Sequence, residues 1–345
     1  MRPPAARRRI AFALGLTLEL VLLGWAPVLL GLAAVAQAVG RPKPMIAVRS
    51  VLVYCAHELG VLAAGGALWA LGPVLGRPAR QRLHWRLQHW FVHAAAARIL
   101  ELLDVEITED CAAEAAALLA GPEPAIVLSR HAGPGDTVFL IDRLMEHYRR
   151  RPSVVLRQDV ALDPAIGLLT RRLPHGVIDP SEPEESSALI ERLAADLSPH
   201  GVLLIYPEGG NFTRERRRRA LSSLRRRGRR KAVAVARRMS NVLPPQPAGV
   251  LAALRGNPRA PVVFIAHTGL GLAAYPREIY RELPLGGRMR FRTWMVSREE
   301  VPEDEEARVA WLNGWWLEID RWVRAQHAEP VILDSEPRSS GAPPA

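Results

Sequence analysis

In the segment VLSRHAGPGDTVFLIDRL, His131 and Asp136 stand five positions apart, with only small residues and a proline between them. An imidazole beside a carboxylate is the arrangement of a general base, in which the carboxylate fixes the tautomer and steadies the imidazolium that forms. The same spacing fits a plainer turn: Asp136 precedes a helical pattern and reads as an N-cap, and His131 as a loop histidine bonded to backbone. No further histidine, cysteine or carboxylate stands nearby at ligand spacing, so no metal site is expected. Two more segments enlarge the set. LLIYPEGGNFTRER brings Glu208, Gly209 and Gly210 to the end of an apolar run, where glycine-freed amides can cradle an anion. SVVLRQ delivers Arg157 to the end of a third run. A base, a carboxylate, free amides and guanidinium groups together suit transfer to a hydroxyl on a phosphorylated acceptor.

The hydrophobic pattern supplies the elements that must position these residues. Short apolar runs at 123–129, 152–158, 176–178, 201–210, 260–269 and 288–296 read as buried strands. Helical patterns occupy 136–150, 163–173 and 184–198, and a long one closes the domain at 303–327. On that last helix Trp311, Trp315, Ile319 and Trp322 share one face, which predicts packing. Residues 77–107 read as a helix with a basic face that carries Trp85 and Trp90. Strands alternating with helices predict an α/β domain with a buried, mostly parallel central sheet flanked by helices. His131 falls at the carboxyl end of a strand, where open α/β sheets hold their ligands.

The amino-terminal part differs in kind. Residues 10–39 contain one charge, Glu19, and Leu20–Ala36 is uncharged over nearly the length that crosses a bilayer. A second apolar run, 45–76, is interrupted by Arg49, His57 and Glu58, the last two expected to face a partner helix or an interface. The first run is too long for a signal peptide and a second follows directly, so the pair reads as an uncleaved helical hairpin. Arg2, Arg7, Arg8 and Arg9 before it, and Arg77, Arg80, Arg82 and Arg86 after it, place both ends on the cytoplasmic face. Polar residues in the second run leave an interfacial helix pair open beside a spanning one.

His131-x4-Asp136, followed by Tyr206-Pro207-Glu208-Gly209, resembles the two principal motifs of the glycerolipid (lysophosphatidate-type) acyltransferase family, in the family's order and separation. The resemblance covers roughly 77–270. EGGNFT and the later NVLPPQPAGVLAAL are also similar to the branch that contains lysocardiolipin and related lysophospholipid acyltransferases. It implies that His131, held by Asp136, takes the proton of an acceptor hydroxyl as that hydroxyl attacks an acyl thioester. Amides near Gly209 and Gly210 would hold the oxyanion; Glu208, Thr213 and Arg214 would form the acceptor pocket, with Arg157 as a basic residue after the second strand. The implied acceptor is a lysophospholipid, foremost 1-acylglycerol-3-phosphate, and the donor acyl-CoA or acyl carrier protein, with no cofactor. Gly210 stands where the family has threonine, Asn211 where many members have arginine, and Asp179-Pro180 where an intermediate motif ends in arginine. The phosphate contact then falls to Arg214 or another arginine, or the acceptor headgroup differs.

The expected organisation is a basic tail at 1–9, two apolar anchor helices at 10–76, an acyltransferase domain at 77–328 and a disordered tail at 329–345. The net charge of +11 favours anionic partners, and Cys55 and Cys111 alone make no disulfide framework. Residues 214–238 hold thirteen basic residues against one acid, which suits a lipid surface or phosphate. Nucleic acid is not an expected partner, because no nucleic-acid motif is present and aromatics do not interleave the arginines.

Overall fold

The computed structural model describes residues 5–133, 135–268, 280 and 287–328. The expected tail at 329–345 and the first four residues of the basic tail lie outside them. Helix α1 (Ala5–Gly24) already takes in Arg7, Arg8 and Arg9, so these arginines are helical. It is followed by α2 (Ala26–Ala38), α3 (Lys43–Ala70) and α4 (Arg77–Leu103). The uncharged run expected to be continuous is broken at Trp25, where α1 and α2 meet at 58°. Pro27, at the start of α2, explains the break: it donates no amide bond and its ring crowds the preceding turn. Among the described residues α3 alone is long and apolar enough to cross a membrane, and α1 with α2 qualifies only as a bent pair.

The remainder is a seven-stranded sheet with helices on both faces. Its strands are β1 (Val105–Cys111), β2 (Ala125–Ser129), β3 (Arg151–Arg157), β4 (Gly176–Ile178), β5 (Gly201–Ile205), β6 (Val262–His267) and β7 (Gly287–Val296). They lie in the order β1-β7-β6-β2-β5-β3-β4, every pairing parallel except β6 with β7. The expected α/β fold with a mostly parallel sheet is what the chain forms. Two elements depart from the pattern. Residues 105–107 open β1 instead of ending the preceding helix, and a short helix, α5 (Ala113–Ala120), follows. β1 is half-buried and carries Glu106, Glu109 and Asp110, so it shows no continuous apolar run to read.

The two-residue period of the strands divides the core. Ile126, Leu128, Leu203, Ile205, Val262 and Phe264 face one side, under α8 (Pro183–Ala195), α11 (Pro247–Gly256) and α12 (Glu305–Ala328). Phe264 stacks on Trp315 at 4.6 Å and meets Trp311 at 5.4 Å, the packing expected of that helix face. Val127, Val202, Leu204, Val263 and Ile265 face the other side, with Phe139 and Leu140 of α6 (Asp136–Asp142) and Ala96 of α4.

The hairpin is docked on this domain through α7 (Pro164–Arg172). Glu58, 2 % exposed, accepts a hydrogen bond from the Ala165 N–H at 3.1 Å, and Tyr54 donates to Asp163 at 2.7 Å. Asp163 in turn caps Ile166 N–H at 2.9 Å. Glu58 thus faces the first turn of an α/β-domain helix, whose amides have no partner within the helix itself. Trp90 of α4 packs where Gly60 of α3 leaves room.

Helices α8 and α11 approach closely, and a Cβ on Gly256 would stand 2.0 Å from the Glu191 carbonyl oxygen. Backbone cannot yield as a side-chain tip can. Gly256→Ala is therefore expected to cost about 1–3 kcal/mol and to lower the thermal midpoint by roughly 2–10 °C. An unchanged midpoint in a melting experiment would contradict this packing.

Candidate active site

Three adjacent strands deliver the site. β2 is central, β5 and β6 flank it, and all three run the same way, so their carboxyl ends share one edge. His131 follows β2, Tyr206–Glu208 follow β5, and His267 is the last residue of β6.

His131 Nδ1 lies 3.0 and 3.1 Å from the two carboxylate oxygens of Asp136. Its ring stacks on Tyr206 with centroids 4.4 Å apart and keeps 19 % of its side chain open to solvent. The backbone on either side is clamped: His131 N–H donates to Glu208 Oε1 at 3.1 Å, and its carbonyl accepts from Phe212 N–H at 2.8 Å. With Nδ1 turned to the carboxylate, Nε2 is the nitrogen left for a substrate.

Asp136 is fully buried. It is the first residue of α6, whose N-cap is Gly135, so the reading as N-cap is corrected. Its carboxylate turns back into the loop instead, where Oδ2 accepts from Ala132 N–H at 2.7 Å and Gly133 N–H at 3.0 Å. Thr137 Oγ1 donates to Oδ1 at 3.3 Å, and His267 Nε2 lies 3.4 Å from Oδ2. Burial alone would raise this carboxyl group; its interactions with His131 and His267 outweigh it and hold the group far below the ordinary carboxylate range.

Two buried residues were not among those singled out from the sequence. His267 is wholly buried and its Nε2 lies 3.0 Å from the Arg130 carbonyl, which ties β6 to the start of the catalytic loop. Arg130, 1 % exposed, donates to the carbonyls of His267 and Asn241. Burial weakens its cation, while Glu208, Asp136 and Asp320 support it. The signal for His267 was a polar residue closing an otherwise wholly apolar strand, and Arg130 directly follows β2.

The other expected residues are placed as follows. Glu208 is 3 % exposed, and its second oxygen accepts from Leu243 N–H at 2.8 Å, so both oxygens brace backbone. Burial pushes its carboxyl group up to about 7, against the opposing charge of Arg130 and the two amide bonds. Gly209 has φ +68°, and a Cβ there would lie 2.6 Å from Gln246 Nε2, so glycine is required. The Gly209 N–H closes a turn onto Tyr206 O at 3.0 Å and is not the free amide expected. The Gly210 N–H makes no hydrogen bond among the described residues. Thr213 caps α9 (Arg214–Arg226) by accepting from Arg216 N–H at 3.0 Å, and Arg214 is exposed on its first turn. Arg157, at the end of β3 and one strand beyond β5, is exposed and paired with Asp159 at 3.0 Å. Among the described residues no group of three or more acidic, histidine or cysteine side chains could hold a metal ion.

Residues 105–264 match the family described as Acyltransferase. That segment is an acyltransferase-family domain. It contains β1 to β5, the start of β6, the His131–Asp136 pair and the turn after β5, and it bears out the expected membership of the glycerolipid acyltransferase family. The crystal structure of the 1-acyl-sn-glycerophosphate (LPA) acyltransferase PlsC from Thermotoga maritima has the same fold. The likeness has a TM-score of 0.52 at 12 % identity and covers 83 % of this chain and 99 % of that one. No curated protein matches the sequence.

Asp136→Asn replaces an oxygen that takes amide bonds by an NH2 group and removes the charge facing Nδ1. Turnover should fall by about 10³–10⁴-fold, the scale of a mis-set tautomer. A residue acting only as a helix cap would tolerate asparagine, and near-normal turnover would show that.

For Glu208 the test is pH. A carboxyl group raised from 4.5 to about 7 on folding favours the fold while protonated, and this contribution is lost as the pH rises through about 7. The stability of the wild type relative to Glu208→Gln should decline between about pH 4.5 and 7 and level off above. A difference constant over that range would contradict the assignment.

Proposed function

We propose that this protein moves a fatty acyl group from a thioester, acyl-CoA or acyl carrier protein, to the hydroxyl of a lysophospholipid, with 1-acylglycerol-3-phosphate as the first acceptor to test. The observation that carries the reading is His131 Nδ1 held at 3.0 Å by a buried, ionised Asp136 at the carboxyl edge of the sheet. His131 Nε2 takes the proton from the acceptor hydroxyl as its oxygen attacks the thioester carbonyl. The C–O bond forms, the C–S bond breaks, and the imidazolium returns the proton to the departing thiolate. Asp136 keeps the imidazole in the productive tautomer and offsets its transient charge. The Gly210 amide is the donor available to the tetrahedral oxyanion.

Arg214 and Arg157 are the guanidinium groups proposed for the acceptor phosphate, with Thr213 and Gly209 shaping the turn between them and His131. Glu208 serves the same pocket by fixing the backbone of His131. The reading needs no cofactor beyond the thioester co-substrate. The apolar hairpin is proposed to seat the domain on a lipid bilayer, at the cytoplasmic face. Exposed large apolar side chains are concentrated there: Phe12, Leu14, Leu18, Trp25, Leu32 and Trp69 are each at least 38 % exposed. That surface suits a substrate that is itself membrane-bound.

Purified full-length protein supplied with acyl-CoA and a lysophospholipid panel should release free CoA and yield a diacyl product by mass spectrometry. His131→Ala should abolish release while leaving the circular dichroism spectrum unchanged. Release that persists in a folded His131→Ala protein would remove the assigned base.

A further inference from the structure

A second cationic site lies at the other end of the sheet. β3 runs in parallel with β5 and β2, so Arg157 stands on the catalytic edge and Arg151 on the opposite one. The strand rise separates the two by about 20 Å. At that far edge a cavity of about 290 Å³ is lined by Arg82 and Arg86 of α4, by the consecutive Arg149, Arg150 and Arg151, and by Trp85.

Five guanidinium groups around one cavity repel each other unless an anion sits among them. The protein supplies little of that charge. The side chains of Arg82, Arg86 and Arg151 make no ion pair or hydrogen bond among the described residues. Glu146 is the one carboxylate paired to the lining in that set, at 3.7 Å from Arg149 and 2.7 Å from His89. Arg150 is 1 % exposed; its two terminal nitrogens donate to the Gly121 and Glu123 carbonyls, but its Nε is buried without a partner. Arg149 also adopts φ +55°, a left-handed backbone that glycine would take at less cost.

We propose that this cavity binds a phosphate group, with Arg82, Arg86 and Arg151 as its exposed forks, Arg150 as its floor and Trp85 as its wall. Arginine is the residue whose planar donors match phosphate oxygens two at a time. The phosphate is that of a membrane lipid headgroup or of a free phosphate compound. The first source is within reach because α4 leaves the hairpin at Arg77 and carries Arg82 and Arg86 on its first turns. The site shares no residue with the catalytic edge, so it stands or falls apart from the acyl-transfer reading.

The test uses full-length protein in neutral detergent, with inorganic pyrophosphate as the free anion. In parallel, the protein is placed in nanodiscs of phosphatidylcholine with and without phosphatidate. Thermal midpoints are followed for wild type and for Arg82→Gln/Arg151→Gln, both exposed side chains that leave the core untouched. Ligand binding raises the midpoint by mass action. A response to pyrophosphate that weakens by about tenfold or more in apparent affinity in the double variant supports a free-anion site. A response confined to phosphatidate, and lost in the same variant, supports a headgroup site. His131→Ala should respond as wild type does. No response to either probe, or a response equal in the double variant, overturns the proposal. The second outcome would assign the anion to the catalytic arginines instead. Arg86→Gln serves as a further variant should the double one fail to fold.

Discussion

A buried carboxylate is the constraint around which the catalytic edge is built. An ionised group sealed from water is tolerated only when donors surround it. Asp136 has the His131 ring, the Ala132 and Gly133 amides, the Thr137 hydroxyl and the His267 ring about it. Each donor comes from a different part of the same turn or from the neighbouring strand. Assembling them fixes the loop after β2, the first turn of α6 and the end of β6 at once. The charge that makes the site expensive to fold is also what orients the His131 ring.

A second buried acid works from the other side. Glu208 holds the His131 amide with one oxygen and the Leu243 amide with the other. The loop that follows β5 and the segment leading to α11 are thereby tied to the same histidine. Tyr206 covers the ring itself. The motif after β5 thus shapes the surroundings of His131 through backbone, and glycine at 209 lets that turn close. On the far flank the hairpin is joined to α7 by Glu58 and Tyr54, so the apolar helices pack against the sheet domain.

Much of this was legible from residue order. Continuous apolar runs marked β2, β3, β5 and β6 because a strand buried on both faces needs them, and the tryptophan face of α12 was periodic enough to read. The His131–Asp136 spacing indicated the pair, and Tyr206–Gly209 gave it a context. What escaped detection had local reasons. β1 alternates acids with half-buried residues and so carried no run. The break at Trp25 depends on one proline inside a uniformly apolar stretch. His267 becomes relevant only once β6 is known to lie beside β2, a fact of topology that no linear spacing displays. The family resemblance implied Glu208 as an acceptor contact, but its side chain points inward for a reason set by residues 77 positions upstream and 35 downstream.

The central claim is that Asp136 holds the neutral His131 ring with its proton on Nδ1 and its lone pair on Nε2. Nitrogen-15 chemical shifts of histidine-labelled full-length protein, assigned by comparison with His131→Ala, report this directly. The account predicts a protonated-type signal for Nδ1 and a bare-nitrogen signal for Nε2, reversed or averaged in Asp136→Asn. A native His131 carrying its proton on Nε2 would contradict it.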